Sequence, residues 1–405
     1  MSTTTTSVRQ SRGTQRAYEF LVYLVAFSIP FSIRINAYVT VACAICYVVY
    51  AVATKDAGKG LLKTPLLLLV ALQLLIMLLG LTHSADVSQG YMEIERFFYA
   101  GVATILVFRA RDTNVTITNI VMSFAAGCLL LSLYGLVWSL MNANELRWHE
   151  RFSDTIHVHP TYFTLYLVFI FFFFAELLRF GLKTYSATQM AVVIALLVYI
   201  AVLVVFVRSQ LGLLIFAVVA LMYPVIVYKK RAAVLTFILF TVALAVYFLD
   251  SARAATFFDS YGTNVSGALG DRFKLWGGAM EAISLKPVFG AGTGGEQMLL
   301  NEGYQRTGYE AGITNSYNAH NQYLEYLVRN GIVDLLCFIA LLIYSFRESL
   351  RRSSYLFLIF NMMFVLSMIA ESSLNVHKGI VFFYFFLASC VFLPFSGSSR
   401  IAGGR

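Results

Sequence analysis

The residues of this chain best suited to chemistry are six histidines and a few arginines set among long apolar runs. His320 stands in Asn315-Ser316-Tyr317-Asn318-Ala319-His320-Asn321-Gln322-Tyr323-Leu324, where a polar stretch gives way to an apolar helix. An imidazole with an ordinary pKa of about 6.5 takes up a proton readily at neutral pH, which makes His320 a candidate general base. The same position would also suit a histidine that only caps the helix or anchors it at an interface. Arg272 and Lys274 lie in Gly270-Asp271-Arg272-Phe273-Lys274-Leu275-Trp276. Asp271 can N-cap a helix whose Phe273, Trp276, Met280 and Ile283 recur at helical spacing, and Pro287 stops it. Such a helix can lie flat on a membrane with its apolar face down. Arg272 and Lys274 then stand at headgroup height, either to hold an anionic ligand or simply to reach lipid phosphates.

Arg208 sits at the tip of a hairpin with wholly apolar flanks, where it either faces a cavity or escapes to the surface along its own side chain. Arg151, followed by His157, His159 and Pro160, leads into another apolar helix. Gly290-Ala291-Gly292-Thr293-Gly294-Gly295 invites a phosphate-loop reading, but no strand precedes it and no Gly-Lys-Ser/Thr follows, so it reads as a flexible turn. Acidic pairs able to hold a divalent cation through oxygen are missing from the polar loops. Glu93 and Glu95, two apart on a helix, diverge by about 200°. The expected site is therefore cationic, with no metal and no cofactor. Arginines and histidines grouped at membrane level suit a multiply charged anion with an apolar tail, because guanidinium pairs bidentately with phosphate. A polyprenyl diphosphate is such a molecule.

The elements that must position these residues follow from composition. Of 405 residues 59% are hydrophobic and only 13% charged, with a mean hydropathy of +0.74. A soluble domain carries about 25% charged residues. Apolar runs long enough to span a bilayer recur near 17–33, 36–54, 64–82, 91–108, 116–141, 160–182, 187–207, 211–228, 232–249, 322–346, 353–372 and 377–396. The expectation is an all-α polytopic integral membrane protein of about 12 spans, without the alternating segments of a membrane barrel. Basic residues cluster in alternate short turns, such as Lys55, Lys59 and Lys63, Arg109 and Arg111, Lys229, Lys230 and Arg231, and Arg347, Arg351 and Arg352. That is the positive-inside pattern, so both termini are expected in the cytoplasm and all six histidines on the outer face. The net charge of +9 thus reflects topology rather than nucleic-acid binding. The five cysteines all fall in apolar runs, which excludes an external disulfide framework. The organisation reads as helices one to nine over 1–249, one large outer loop over 250–321, and three helices with a short tail over 322–405.

These features together resemble the O-antigen ligase and polymerase superfamily of bacterial envelope enzymes. The resembling motifs are Arg208-Ser209-Gln210 after an apolar helix, Arg272 with Trp276, Pro287 with Gly290 and Gly292, and His320-Asn321-x-Tyr323-Leu324 followed by Gly331. Glu371 and Gly379 in the last pair of spans fit as well. Valine 207, where many relatives have serine or threonine before the arginine, is a departure. The resemblance implies a GT-C-like helical fold with one dominant periplasmic loop of short helices in the bacterial inner membrane. It implies glycosyl transfer from an undecaprenyl-diphosphate-linked glycan, for a ligase onto the lipid A-core, with the active site in the periplasm. His320 would activate the acceptor hydroxyl, and Arg208 and Arg272 would hold the diphosphate. Arg151, Lys274, Asn321, Tyr323 and His159 would contact substrate. A first outer loop of only about 18 residues favours ligase over polymerase. A lipid-linked glycan transporter is the alternative of a different class, although polar residues gathered at one surface rather than at mid-membrane speak against it.

Overall fold

The computed structural model describes residues 2–54, 60–141, 152, 155–181, 184–207, 209–228 and 265–395. They form helices and connecting turns, with no strand among them. The helices are α1 (Ser2–Ser28), α2 (Ile33–Thr54), α3 (Pro65–Gly80), α4 (Val87–Ala110), α5 (Ile117–Met141), α6 (Pro160–Gly181) and α7 (Ala187–Phe206). The series continues with α8 (Gln210–Tyr228), α9 (Val265–Leu285), α10 (Glu296–Thr307), α11 (Glu310–Thr314), α12 (Gln322–Arg351), α13 (Tyr355–Ala370) and α14 (His377–Phe392). Seven stretches among the described residues are long and apolar enough to cross a membrane: Ile33–Val52, Pro65–His83, α5, α6, α7, α8 and α12. The apolar α13 and α14 are shorter. Helices α1 and α4 overlap the first and fourth runs read from the sequence, but fall outside the seven. The ninth run, 232–249, lies outside the described residues.

Phenylalanines hold the centre. Lipid tails are as apolar as leucine, so helices in a bilayer associate through packing rather than water exclusion. Flat rings in offset and edge contact supply that packing. Phe124 of α5 stacks on Phe382 of α14 at 5.3 Å, and Phe169 of α6 meets Phe386 at 4.8 Å. Phe360 and Phe364 of α13 close on Phe383 at 5.9 and 4.8 Å. Helix α14 is buried along almost its whole length and α6 through Phe174, whereas α2 and α7 turn rows of valines and isoleucines outward.

Helix α12 is broken where the large-loop segment meets the bundle. Asn330 and Gly331 leave helical geometry, and Gly331 takes φ 69° and ψ −158°, a conformation open essentially to glycine. A Cβ there would collide with the Val288 carbonyl. The glycine-rich segment supplies the donors that the break requires. Ala291 and Gly292 donate their backbone N–H groups to the carbonyls of Val328 and Arg329, both at 2.8 Å, and Ile332 donates to Pro287 at 3.0 Å. Residues 290–295, read from sequence as a flexible turn, are instead a close-packed splint that includes the buried Thr293. Broken helix at membrane depth is stable only where protein satisfies its backbone in this way.

Helix α9 also departs from expectation. It begins at Val265 rather than at Asp271, so Asp271 lies inside it and caps nothing. Leu275, Ala279 and Ala282 are buried in a small second core shared with Leu299, Leu300 and Tyr304 of α10, and only Phe273 and Met280 of the expected apolar face stay exposed. The α9–α10 pair therefore packs on itself and on α12, and is not merely laid on a surface.

Candidate functional site

The site forms where α6, α12 and α13 end beside the α9–α11 segment. Asn321 fixes the start of α12, its side-chain oxygen accepting from the backbone N–H of Tyr323 at 3.0 Å and of Leu324 at 3.1 Å. Immediately before it the chain turns sharply, with His320 at φ 43°. The His320 N–H donates to the Asn318 side chain at 2.9 Å, and the Ala319 N–H to the buried Glu325 carboxylate. This tight turn holds the imidazole at the helix mouth, where 34% of its side chain remains exposed.

Glu371 is the residue that organises the cluster. It follows α13 in extended geometry, φ −153° and ψ 140°. Gly379 permits this course, because a side chain at that point of α14 would drive into the Ser373 carbonyl. Glu371 Oε1 lies 3.4 Å from His320 Nδ1 and accepts the Ser372 N–H at 3.2 Å. Burial pushes its carboxyl up, but the His320 hydrogen bond and the charges of His320, His159 and Arg272 outweigh burial and hold it below the usual carboxylate range. Glu371 therefore stays ionised at neutral pH.

His159 comes from the turn before α6. Its Nδ1 accepts the Thr161 N–H at 3.4 Å, which in the neutral ring leaves the proton on Nε2. Its ring stands edge-on to Tyr162 at 5.9 Å. Desolvation by the surrounding protein draws this imidazole below its ordinary value, against the opposing pull of Glu371. Arg272, on α9, is near enough for its charge to act on Glu371, yet makes no direct ion pair among the described residues. Its guanidinium has fork donors to offer an incoming anion.

The other residues named from sequence sort differently. Lys274 pairs with Asp271 at 3.6 Å, lies 5.5 Å over the Tyr309 ring and is 60% exposed, outside the Glu371 cluster. Asn321 is engaged as the helix cap, and Tyr323 donates its hydroxyl to the Val365 carbonyl at 3.3 Å. Arg208 and Arg151 lie outside the described residues, although Ser209 donates to Thr161 at 3.4 Å and so ties the start of α8 to the start of α6. Arg96, beside Glu95 on α4, donates to the Asn375 carbonyl at 2.8 Å. Sequence reasoning gave Glu371 no chemical role, and it passed over Tyr162 and Lys378, which donates to the His157 carbonyl at 2.9 Å. The signal for Glu371 was a lone acid closing an apolar run. No group of three or more histidine, cysteine or acidic side chains suited to a metal occurs among the described residues.

An all-helical polytopic membrane protein with imidazole, guanidinium and carboxylate gathered at one end of the bundle is the class that fold and site define. Residues 195–339 match the family model described as O-antigen ligase, a stretch that contains Arg208, Arg272 and His320. The match supports the O-antigen ligase and polymerase superfamily, whose members are glycosyltransferase-like membrane enzymes, in line with the resemblance read from the motifs. No curated protein matches the chain.

Proposed function

We propose that this chain is an O-antigen ligase, moving a glycan from undecaprenyl diphosphate to the lipid A-core at the periplasmic face of the inner membrane. The observation that carries the reading is the His320–Glu371 contact beside Arg272, with His320 and Arg272 inside the matched segment. The reading includes about twelve spans with both termini cytoplasmic, as the distribution of basic residues implies.

Glu371, ionised, accepts a hydrogen bond from His320 Nδ1–H and so fixes the tautomer whose Nε2 lone pair is free. Nε2 takes the proton of an acceptor hydroxyl as its oxygen attacks the anomeric carbon of the donor. The bond from that carbon to the diphosphate oxygen breaks, and the electron pair leaves with the diphosphate. Arg272, with Arg208 as its expected partner, stabilises the charge that develops there, an effect of about 2.7–4 kcal/mol per well-placed donor. Diphosphate is already a good leaving group, so these side chains suffice without a metal. A single displacement inverts the anomeric centre, and retained configuration in the product linkage would refute it.

The test of function is reconstitution of purified protein with undecaprenyl-diphosphate-linked glycan and lipid A-core, in EDTA and without ATP. Glycosylated lipid A-core is the expected product. A glycan that only lengthens on its own carrier would make the protein a polymerase. Donor binding with neither product would favour a transporter.

A further inference from the structure

A recess that adjoins the site above at Asn318 has the opposite character. It is a cavity of about 540 Å³ between α3, α4, α10, α12 and the turn after α13. Carboxylates of Glu93, Glu296 and Glu325 and amides of Gln89, Gln297 and Asn375 line it. Two guanidiniums, Arg96 and Arg329, also reach it, but both are committed to the protein. Arg96 donates to the Asn375 carbonyl at 2.8 Å, and Arg329 grips the fully buried Asp334 at 2.9 and 3.1 Å. What the cavity offers a ligand is therefore mostly hydrogen-bond acceptors, each carboxylate with about four lone-pair sites. A diphosphate would meet repulsion here.

The lining also contains an unmet demand. Glu93 Oε1 accepts from the Gln89 side-chain amide at 3.4 Å, but its buried Oε2 has no hydrogen-bond partner among the described residues. It faces Glu296, whose carboxyl is pushed well above the usual range by burial and then by the Glu93 charge. Glu296 Oε2 accepts the Gly294 N–H at 2.8 Å, so the oxygen left without a partner is Glu93 Oε2. A ligand rich in O–H donors would supply the partner that Glu93 Oε2 lacks. Phe97, Leu374 and Ile380 add an apolar strip on which the C–H face of a sugar ring can rest. The volume falls within the range of about 300–1,000 Å³ found for small-molecule sites.

We propose that this cavity binds a neutral, hydroxyl-rich sugar ring of the acceptor glycan, held by Glu93, Glu296, Gln89 and Gln297. The inference rests on the transferase reading, in which an acceptor hydroxyl must be brought to His320. Asn318, two residues before His320, lines the cavity, as does Asn375, four residues after Glu371. A ring seated there would lie next to the segment that carries the base.

The experiment is calorimetric titration of the full-length protein in nanodiscs with dephosphorylated, delipidated core oligosaccharide and no donor present. Binding is expected, at least 10-fold weaker in Glu93→Gln and weaker again in Glu93→Gln/Gln89→Ala, but unchanged in Arg272→Ala and by millimolar inorganic diphosphate. Glu93→Gln keeps the shape and removes a charge from a carboxyl pair, so it should fold; equal donor binding by variant and wild type confirms that it has. Absence of binding, unchanged binding in the double variant, or competition by diphosphate would overturn the assignment. The outcome is separable from the function itself. Oligosaccharide binding without transfer to lipid A-core would strike the transferase reading alone, while transfer with an unaltered acceptor KM in the double variant would strike the cavity alone.

Discussion

The His320 cluster and the acid-lined cavity adjoin near Asn318 and are built from opposite chemistry. One gathers His320, His159 and Arg272 around the single carboxylate of Glu371. The other gathers Glu93, Glu296 and Glu325 and turns its two arginines toward protein partners. The proposed transferase, with a diphosphate on the donor and a neutral ring of the acceptor to place, needs such sorting, because a pocket attractive to diphosphate at every wall would let the donor occupy the acceptor's place. The difference teaches that the lone acid in the first recess and the committed arginines in the second are the informative exceptions. Glu371 contacts the His320 imidazole, Arg96 braces the turn at Asn375, and Arg329 bridges the break in α12 to Asp334.

The comparison breaks first at its shared edge. His320→Ala should lower the rate of transfer by about 10²–10⁴-fold, the usual worth of a general base, with donor binding unaltered in a direct binding assay. Gly331→Ala should come next, through the scaffold. A side chain on a backbone of this kind costs about 1–3 kcal/mol, and the Cβ would push against Val288. Both recesses should loosen together, seen as a lowered Tm and reduced activity at 37 °C.

Glu371→Gln sharpens the contrast. It should lower kcat by roughly 10–100-fold, because the tautomer of His320 is no longer fixed by charge, and move the acid limb of the pH–rate profile to lower pH. The same carboxyl is held below its ordinary range. Its stabilising contribution is therefore complete above the ordinary carboxylate pKa and is lost as pH falls through the lowered value. The Tm gap between wild type and Glu371→Gln should accordingly close in strong acid. Arg272→Ala should raise the donor KM by roughly 10-fold and leave that of the acceptor alone, as expected for one lost contact to phosphate worth about 1.5–3 kcal/mol at most. Lys274→Ala should change either KM by less than about 2-fold, since its exposed pair with Asp271 is worth at most about 1 kcal/mol.

Much of the scaffold was legible because a bilayer demands long apolar helices, and such runs can be counted directly. His320 was legible because it stands where polar sequence becomes an apolar helix, and Arg272 because it is basic on an otherwise apolar face. Glu371 was not, since its contact with His320 spans 51 positions and depends on Gly379 letting the chain pass close to α14. The acid-lined cavity was hidden for a like reason. Along α4 the sequence shows only two glutamates pointing apart, while the partners of Glu93 arrive from α10 and α12. The Gly290 to Gly295 stretch looked loose by composition, and its rigidity comes from the broken α12 whose carbonyls it satisfies. Asn321 and Lys274 looked free for substrate, and both are engaged by their own neighbours.

The most direct test is single-turnover transfer from undecaprenyl-diphosphate-linked glycan to lipid A-core, comparing wild type with His320→Ala at equal donor occupancy. The account predicts a glycosylated lipid A-core with wild type and a loss of at least 100-fold with the variant. Full-rate transfer by His320→Ala would contradict it.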